Sequence, residues 1–536
     1  MKKIMKALAL VLALIMVFGL AACGGTDEPA PDQSNPTLDV NTEINEQGGL
    51  EVDDPETNEE TVYADELTLA VGDFSTANPL NPAFIASQIA NILPMVYDGL
   101  IGRMPDGSYQ YKLAKEITTE DYKTWHAVLR DDVYFHNGEK FTAQDVVDTI
   151  AVVMENHAIA SSKWMVIDHI DIINDYEIDI VLTNVMIDFL ANIAEPMCGI
   201  FCKKAIEEDP EGGMMIGTGP WVFEEAIPGN YLTLVKNENY WGEPALAEKF
   251  TMKVILETSV QAMMFLNDEL DFAGIDATSL ADCEANPNVK IDTFYTSNTG
   301  YLGFNLNNPI TGDINFRRAV AYCLDTESVS LIAADGYAQP WDTGSYWGST
   351  TAYKNPIPAR EQDLDKAREY LAASSYNGEE VEIMASMPFL VAQAEVLQSQ
   401  MEAIGINVKV FSTDFATSMA TTAWGSTQWT MMVNSSVWTR LASSCNLCLK
   451  YMSTGNKAQW NNERVQELLV LGDVTPDGPE REAIYFEIQE LIAEEIPYIG
   501  IGSGASFHGR QASCGGVLMF EDNCHDYSHA YRVVEG

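Results

Sequence analysis

Basic side chains are scarce in this 536-residue chain: 30 Lys and Arg stand against 79 Asp and Glu, a formal net charge of −49. Lys2, Lys3 and Lys6 account for three of those cations, and no Lys or Arg cluster occurs later, which excludes a nucleic-acid phosphate backbone as partner. Several signatures of catalysis are also missing. There is no Gly-X-Ser-X-Gly elbow, no His-Glu-X-X-His pair and no Gly-X-X-X-X-Gly-Lys phosphate loop. Acids are too numerous for any pair of them to mark general acid–base chemistry, so nothing in the sequence supports an enzyme. After Cys23 no apolar run reaches the roughly 20 residues a membrane span needs.

What the chain does have begins at its N-terminus. Three lysines precede an apolar run from Ala7 to Phe18, and then comes Gly19-Leu20-Ala21-Ala22-Cys23, the pattern of a secretory signal over 1–22. Leu20-Ala21-Ala22-Cys23 resembles the bacterial lipobox, which implies lipid attachment at Cys23 and a location on the outer face of the cytoplasmic membrane. From Thr26 to Glu66 there are 14 acidic residues and no basic one. Like charges and little apolar content predict a disordered, extended tether over 23–65. The body beyond it, about 470 residues, exceeds one ordinary core and calls for two or three lobes. Eight cysteines follow Cys23, and export allows some of them to pair.

Periodicity predicts an α/β body. Alternation at Glu66–Gly72 and Trp125–Arg130 gives strands, and Thr142 caps a helix running to Asn156. The stretches Ile167–Ile173 and Glu177–Leu182 form a hairpin around Asn174-Asp175-Tyr176. Glu380–Met384, Leu390–Ala403 and Ile406–Phe411 make a βαβ unit with parallel pairing. Further helices are expected near 317–324, 363–373, 462–471 and 479–495.

Several blocks, in order, resemble a known family. They are Met95-Val-Tyr-Asp-Gly-Leu100, Leu113-Ala-Lys-Glu116, Ala127-Val-Leu-Arg130 and Val133-Tyr-Phe-His-Asn-Gly-Glu-Lys-Phe-Thr-Ala-Gln-Asp-Val-Val147. Then follow Gly217-Thr-Gly-Pro-Trp-Val-Phe223, Lys236-Asn-Glu-Asn-Tyr-Trp-Gly242, Leu266-Asn-Asp-Glu-Leu-Asp271, Tyr301-Leu-Gly-Phe-Asn305 and Phe316-Arg-Arg-Ala-Val-Ala-Tyr-Cys-Leu-Asp325. Together they are similar to the bacterial extracellular solute-binding proteins of family 5, which serve peptide and nickel importers. Each piece also has a structural meaning: Gly138 permits a tight turn, Gly217 and Gly219 a close backbone approach, and His136 packs within its block.

The resemblance implies a type II periplasmic-binding-protein clamshell of the cluster C kind, two lobes with an extra subdomain. Its expected boundaries are 66–97, 212–303 and 497–536 for lobe I, 98–211 for the subdomain and 304–496 for lobe II. A peptide or peptide-like solute would bind in the interlobe cleft of a monomer and be delivered to the permease of an ABC importer. No cofactor is implied. Members that bind peptides hold the ligand's amino group with an aspartate in the region corresponding to Trp429–Arg440. That aspartate is absent here, and from Phe415 to Gly472 the only carboxylates are Glu463 and Glu467. A metal chelate, an opine or a sugar is therefore the alternative ligand.

The candidate ligand residues are Asn434, Ser435, Ser436, Trp438 and Arg440, with Tyr301 and Asn305 on the family's strand and Trp424 as a further aromatic. Arg440 could grip a carboxylate and Trp438 could form a wall. Phe74, Ser75, Trp341, Tyr346 and Trp347 are weaker candidates by loop position. Cys524-His-Asp526 with His529 could hold a metal, but a Cys514–Cys524 disulfide is the preferred expectation. Cys445-Asn-Leu-Cys448 is expected to be a loop staple or a pair of free thiols.

Overall fold

Two long strands, Val289–Phe304 and Tyr498–Gln511, pair antiparallel and run through the middle of an 11-stranded sheet. The computed structural model describes residues 54–55, 57–58, 61–74, 76–79, 88–156, 160–347, 351–437, 442–453 and 455–534, apart from the side chains of 415, 416, 437, 442, 445 and 447. The first half of Val289–Phe304 and the second half of Tyr498–Gln511 belong to one lobe, where Phe507–Arg510 pair with Phe272–Ile275, and the parallel strands Glu66–Val71 and Lys249–Val254 lie beyond. The remaining halves belong to the other, where Asn298–Phe304 pair with Met431–Val437, and Val381–Ala385 and Val408–Ser412 complete the edge. The ladder between the long strands breaks register between Tyr295 and Thr299 and again between Gly300 and Tyr301. This is the crossover between lobes.

The second lobe is built as its sequence predicts. Val381–Ala385 and Val408–Ser412 are parallel, and the intervening helix Pro388–Glu402 buries Leu390, Ala394, Leu397 and Met401 at helical spacing against them. Its sheet has two buried faces. Leu302, Phe304, Ile383 and Val433 pack on one, and Tyr301, Tyr346, Trp460, Tyr485 and Tyr498 on the other.

A separate four-stranded antiparallel sheet contains the expected hairpin, as Ile167–Asn174 and Glu177–Leu182, together with Thr124–Leu129 and Ala114–Thr119. The helix Ala143–Glu155 starts at Thr142, whose backbone and hydroxyl both donate to Asp145. One apolar core joins this sheet to the first lobe, running from Trp125, Ile178 and Phe189 to Trp221 and Phe250. The two therefore share a single core. At their junction a Cβ on Gly217 or Gly219 would stand 2.0 Å from Val96 O or 2.4 Å from Met95 O, so the backbones touch only because these residues are glycines. His136 bridges the same segment, taking a bond from Gly217 N at 3.3 Å and donating to Gly219 O at 3.0 Å.

Ordered contacts reach into the segment expected as tether. Val62 and Tyr63 pair with the terminal strand Tyr531–Val534, and the Asp54 carboxylate accepts from Gly516 N and lies 3.5 Å from the buried Arg510 guanidinium. Opposite charge and an open strand edge explain why an acidic segment docks here. Cys23 and the stretch 1–22, expected to be a signal, lie outside the described residues.

The sheet-bearing body also meets the second lobe directly. Asp188, nine-tenths buried, accepts from Arg481 at both oxygens, Nη1 to Oδ1 at 3.1 Å and Nη2 to Oδ2 at 2.7 Å. Ser443 donates to the same carboxylate, and Ile187 N donates to Asp473 O at 3.1 Å. Arg481 is 2 % exposed and also donates to Asp477 and Gly472 O. A buried bidentate pair of this kind costs desolvation on both sides, yet leaving one partner alone costs more. Arg481→Met should thus lower unfolding stability by about 3–5 kcal/mol, and the double variant Asp188→Leu/Arg481→Met should recover most of it in denaturant titrations.

Asp473 sits beside this contact, faced by Asn446, Lys450, Asp188 and Arg481. Burial pushes its carboxyl up to about 6, against the opposing pull of Lys450 and Asn446. A carboxyl raised above its unfolded value stabilises most below that value and loses its contribution as pH rises through about 6. Asp473→Asn should accordingly gain stability over the native protein between pH 4 and pH 7, by on the order of 2 kcal/mol at neutral pH, in parallel thermal melts.

Candidate functional site

In the second lobe the strands Val381–Ala385, Val408–Ser412 and Met431–Val437 run parallel, and their carboxyl ends point to the crossover: Met431 lies opposite Phe304 and Val437 opposite Asn298. Ligands of open α/β sheets collect at such carboxyl ends. Three of the expected residues come together there. Tyr301 is paired in register with Asn434, and the side chains of Asn434 and Ser436 face its hydroxyl. The Ser436 hydroxyl lies 3.4 Å from the Cys448 thiol.

Tyr301 itself is 1 % exposed, with Tyr346 and Tyr498 packed edge-on at 5.1 and 5.2 Å. Burial pushes its phenol well above the ordinary range, and that of Tyr346 likewise, so both remain neutral donors. Tyr301 is thus the floor of the group and Asn434 and Ser436 its half-buried polar edge. Ser435 pairs with Gly300 and projects to the opposite face of the strand. On that face the buried Gln393 amide covers Gly300 so closely that a Cβ there would meet it at 2.9 Å.

Asn305 has a different task from the one expected. It is fully buried and its Nδ2 donates to Ser426 O and Trp429 O at 3.0 and 2.9 Å, while its Oδ1 accepts from Asn307 N. Its Nδ2 and its backbone N–H staple the strand end to the loop before Met431, and its Oδ1 turns the chain at Asn307, so the side chain's hydrogen bonds are made within the fold. Trp424 is half-buried and packs edge-on against Tyr451 at 5.0 Å. Trp438, Arg440 and Ser75 lie outside the described residues. Phe74, Trp341, Tyr346 and Trp347 are buried core, and the Trp341 indole donates to Ser345 O at 2.6 Å.

The cysteine and histidine expectations need correction. Cys514 and Cys524 are free thiols, as are the five other cysteines whose side chains are described. Cys514 is enclosed near Asp271, with Arg510 bonding its carbonyl, and the Cys524 carbonyl accepts from Arg103. His525 is buried, accepts from Phe520 N at 3.1 Å and packs edge-on against Phe294 and His508. Burial lowers His508 and His525 to about 3, so both are neutral packing groups. Among the described residues no three His, Cys, Asp or Glu side chains are grouped to hold a metal ion.

A second recess of about 520 Å³, open solvent included, lies between the first lobe and the sheet-bearing body. Arg103 lines it, held by both Asp522 oxygens and stacked on the Phe520 ring at 4.3 Å. Both Arg103 Nη groups are thereby paired with carboxylate.

Residues 108–451 match the sequence profile of bacterial extracellular solute-binding proteins, family 5 middle. The chain belongs to this family. It is 28% identical over 361 residues to the nickel-binding periplasmic protein of Escherichia coli K12, covering 62% of this chain and 68% of that one. It is 24% identical over 457 residues to the glutathione-binding protein GsiB of Salmonella paratyphi A, covering 81% and 88%. Among solved structures it superposes on the ABC transporter substrate-binding protein CtaP of Listeria monocytogenes with a TM-score of 0.76 at 23% identity, covering 88% and 99%. The two-lobed type II periplasmic binding fold is therefore established, and with it the class, a solute-binding protein.

Proposed function

We propose that this protein is the receptor of an ABC importer, capturing a peptide or peptide-like solute between its lobes and presenting it to the permease. The observation that carries this reading is the pair of crossing strands joining two lobes, in a chain whose family captures solutes. Lobe I comprises 66–97, 212–303 and 497–536, the subdomain 98–211 and lobe II 304–496. Cys23 holds a monomer to the outer face of the membrane by a lipid, and the protein binds without catalysing. The glutathione-binding relative, aligned over most of both chains, favours a peptide-like solute. The nickel-binding relative supports a metal chelate as the second reading.

Native mass spectrometry of the mature protein identifies the retained solute, and thermal melts against glutathione, short peptides and nickel–histidine rank the classes. A bound solute at 100 times its dissociation constant stabilises the fold by about 2.7 kcal/mol. Glutathione or an oligopeptide should do so, and unmodified dipeptides should bind weakly because no aspartate stands in the 429–440 region. Stabilisation by nickel–histidine alone would move the protein to the second reading.

A further inference from the structure

Four cations of the described residues are at least 95 % buried: Arg317, Lys457, Arg481 and Arg510. Three are fully partnered by oxygen. Arg317 donates to Thr311 O, Gly312 O and Glu495 O. Arg481 has Asp188, Asp477 and Gly472 O, and Arg510 has Asp292, Asp54 and Cys514 O. Lys457 is 5 % exposed, and among the described residues its ammonium meets only the thioether of Met419, at 3.2 Å. A thioether is a weak acceptor and carries no charge.

An ammonium taken out of water without a counter-ion is among the costliest arrangements a fold can hold. The 58 residues from Phe415 to Gly472 offer only Glu463 and Glu467, both exposed on their helix. In a chain with 79 acidic residues, the bare surroundings of this one lysine are a property of the place. That place adjoins the candidate site. The next residue, Ala458, donates its N–H to the Tyr498 hydroxyl at 3.0 Å; that hydroxyl donates to Cys448 O at 3.1 Å and its ring packs on Tyr301, while the Cys448 thiol touches Ser436, which shares a strand face with Asn434 at the carboxyl ends of the parallel strands. Burial holds the Lys457 ammonium below its ordinary range, a strain that an incoming negative charge relieves.

We propose that Lys457 is the anchor for a carboxylate of the captured solute, with Ser436 and Asn434 as neutral donors beside it. The solute is accordingly an acid, a peptide with a free C-terminus or an amino-acid derivative, held by its negative end. This rests on the solute-capture reading and turns its orientation around. A peptide is held here by its carboxylate, in a region with no carboxylate to take its amine.

The test compares the mature protein with Lys457→Met and Lys457→Arg. Calorimetric titrations use trialanine against its C-terminal amide, and nickel–histidine against nickel–histidinamide, which separates a peptide carboxylate from a chelate's. The native protein should prefer each bound acid over its amide at least tenfold. Lys457→Met should lose that preference while still binding the amide, and Lys457→Arg should keep part of it. Two arms need no knowledge of the solute. Ligand-free Lys457→Met should melt no lower than the native protein, since it removes an uncompensated buried charge. Acetate should raise the melting temperature of the native protein over equimolar chloride, and leave Lys457→Met unmoved.

An acid preference that survives in Lys457→Met overturns the proposal, as does a Lys457→Met variant that melts lower or fails to fold. If none of the four compounds binds but both solute-free arms give the expected result, the anchor stands and the peptide and chelate readings of the function fall.

Discussion

The antiparallel ladder between Val289–Phe304 and Tyr498–Gln511 is the constraint on which the remaining structure depends. It is the spine of the sheet, with each half of the strand pair committed to a different lobe's core. Its register breaks fall between Tyr295 and Tyr301, where the strands leave one core for the other. Gly502, at φ +146, supplies a backbone conformation that side-chain-bearing residues rarely adopt. Gly500 lets the Trp341 ring lie directly on the strand, where a Cβ would be 2.4 Å from it. Thr299 and Ser503 share a buried hydrogen bond of 3.1 Å across the joint. A hinge needs few residues that absorb a backbone rotation while the bodies on either side stay packed, and this joint meets that description.

Charge governs how the two bodies meet. The acidic chain opposes its own compaction, and the contact between bodies answers with a buried Asp188–Arg481 pair. Asp473 beside it makes the contact dearer as pH rises. Lys457 is the reverse case, a buried cation whose ammonium meets no oxygen among the described residues. A structural cation is satisfied within the chain by carboxylate or carbonyl oxygens, whereas a site for a charged solute leaves one to be completed from outside.

Local patterning carried much of the fold. The hairpin around Asn174-Asp175-Tyr176, the helix capped by Thr142 and the βαβ unit from Val381 to Ser412 are set by alternation, capping and turn residues within short windows. The glycines at 217 and 219 were legible as close approaches for the same reason. What lay beyond the sequence was long-range. Asp188 and Arg481 are 293 positions apart, and nothing local marks either as the other's partner. The docking of Asp54 on Arg510 depends equally on a distant cation, which composition alone would have left in solvent. At the site, the lack of carboxylates from Phe415 to Gly472 could be read directly, but which cation it leaves bare could not. Asn305 lies on the strand that approaches the cleft, and only its hydrogen bonds show that it faces the loop beyond.

On this reading the two lobes close about the crossing strands around a solute. Small-angle X-ray scattering of the mature protein, stripped of solute by unfolding and refolding and then resupplied with the solute identified from the native preparation, tests it most directly. The account predicts a smaller radius of gyration on resupply, with the scattering of each lobe otherwise preserved. An unchanged radius at saturating solute would contradict it.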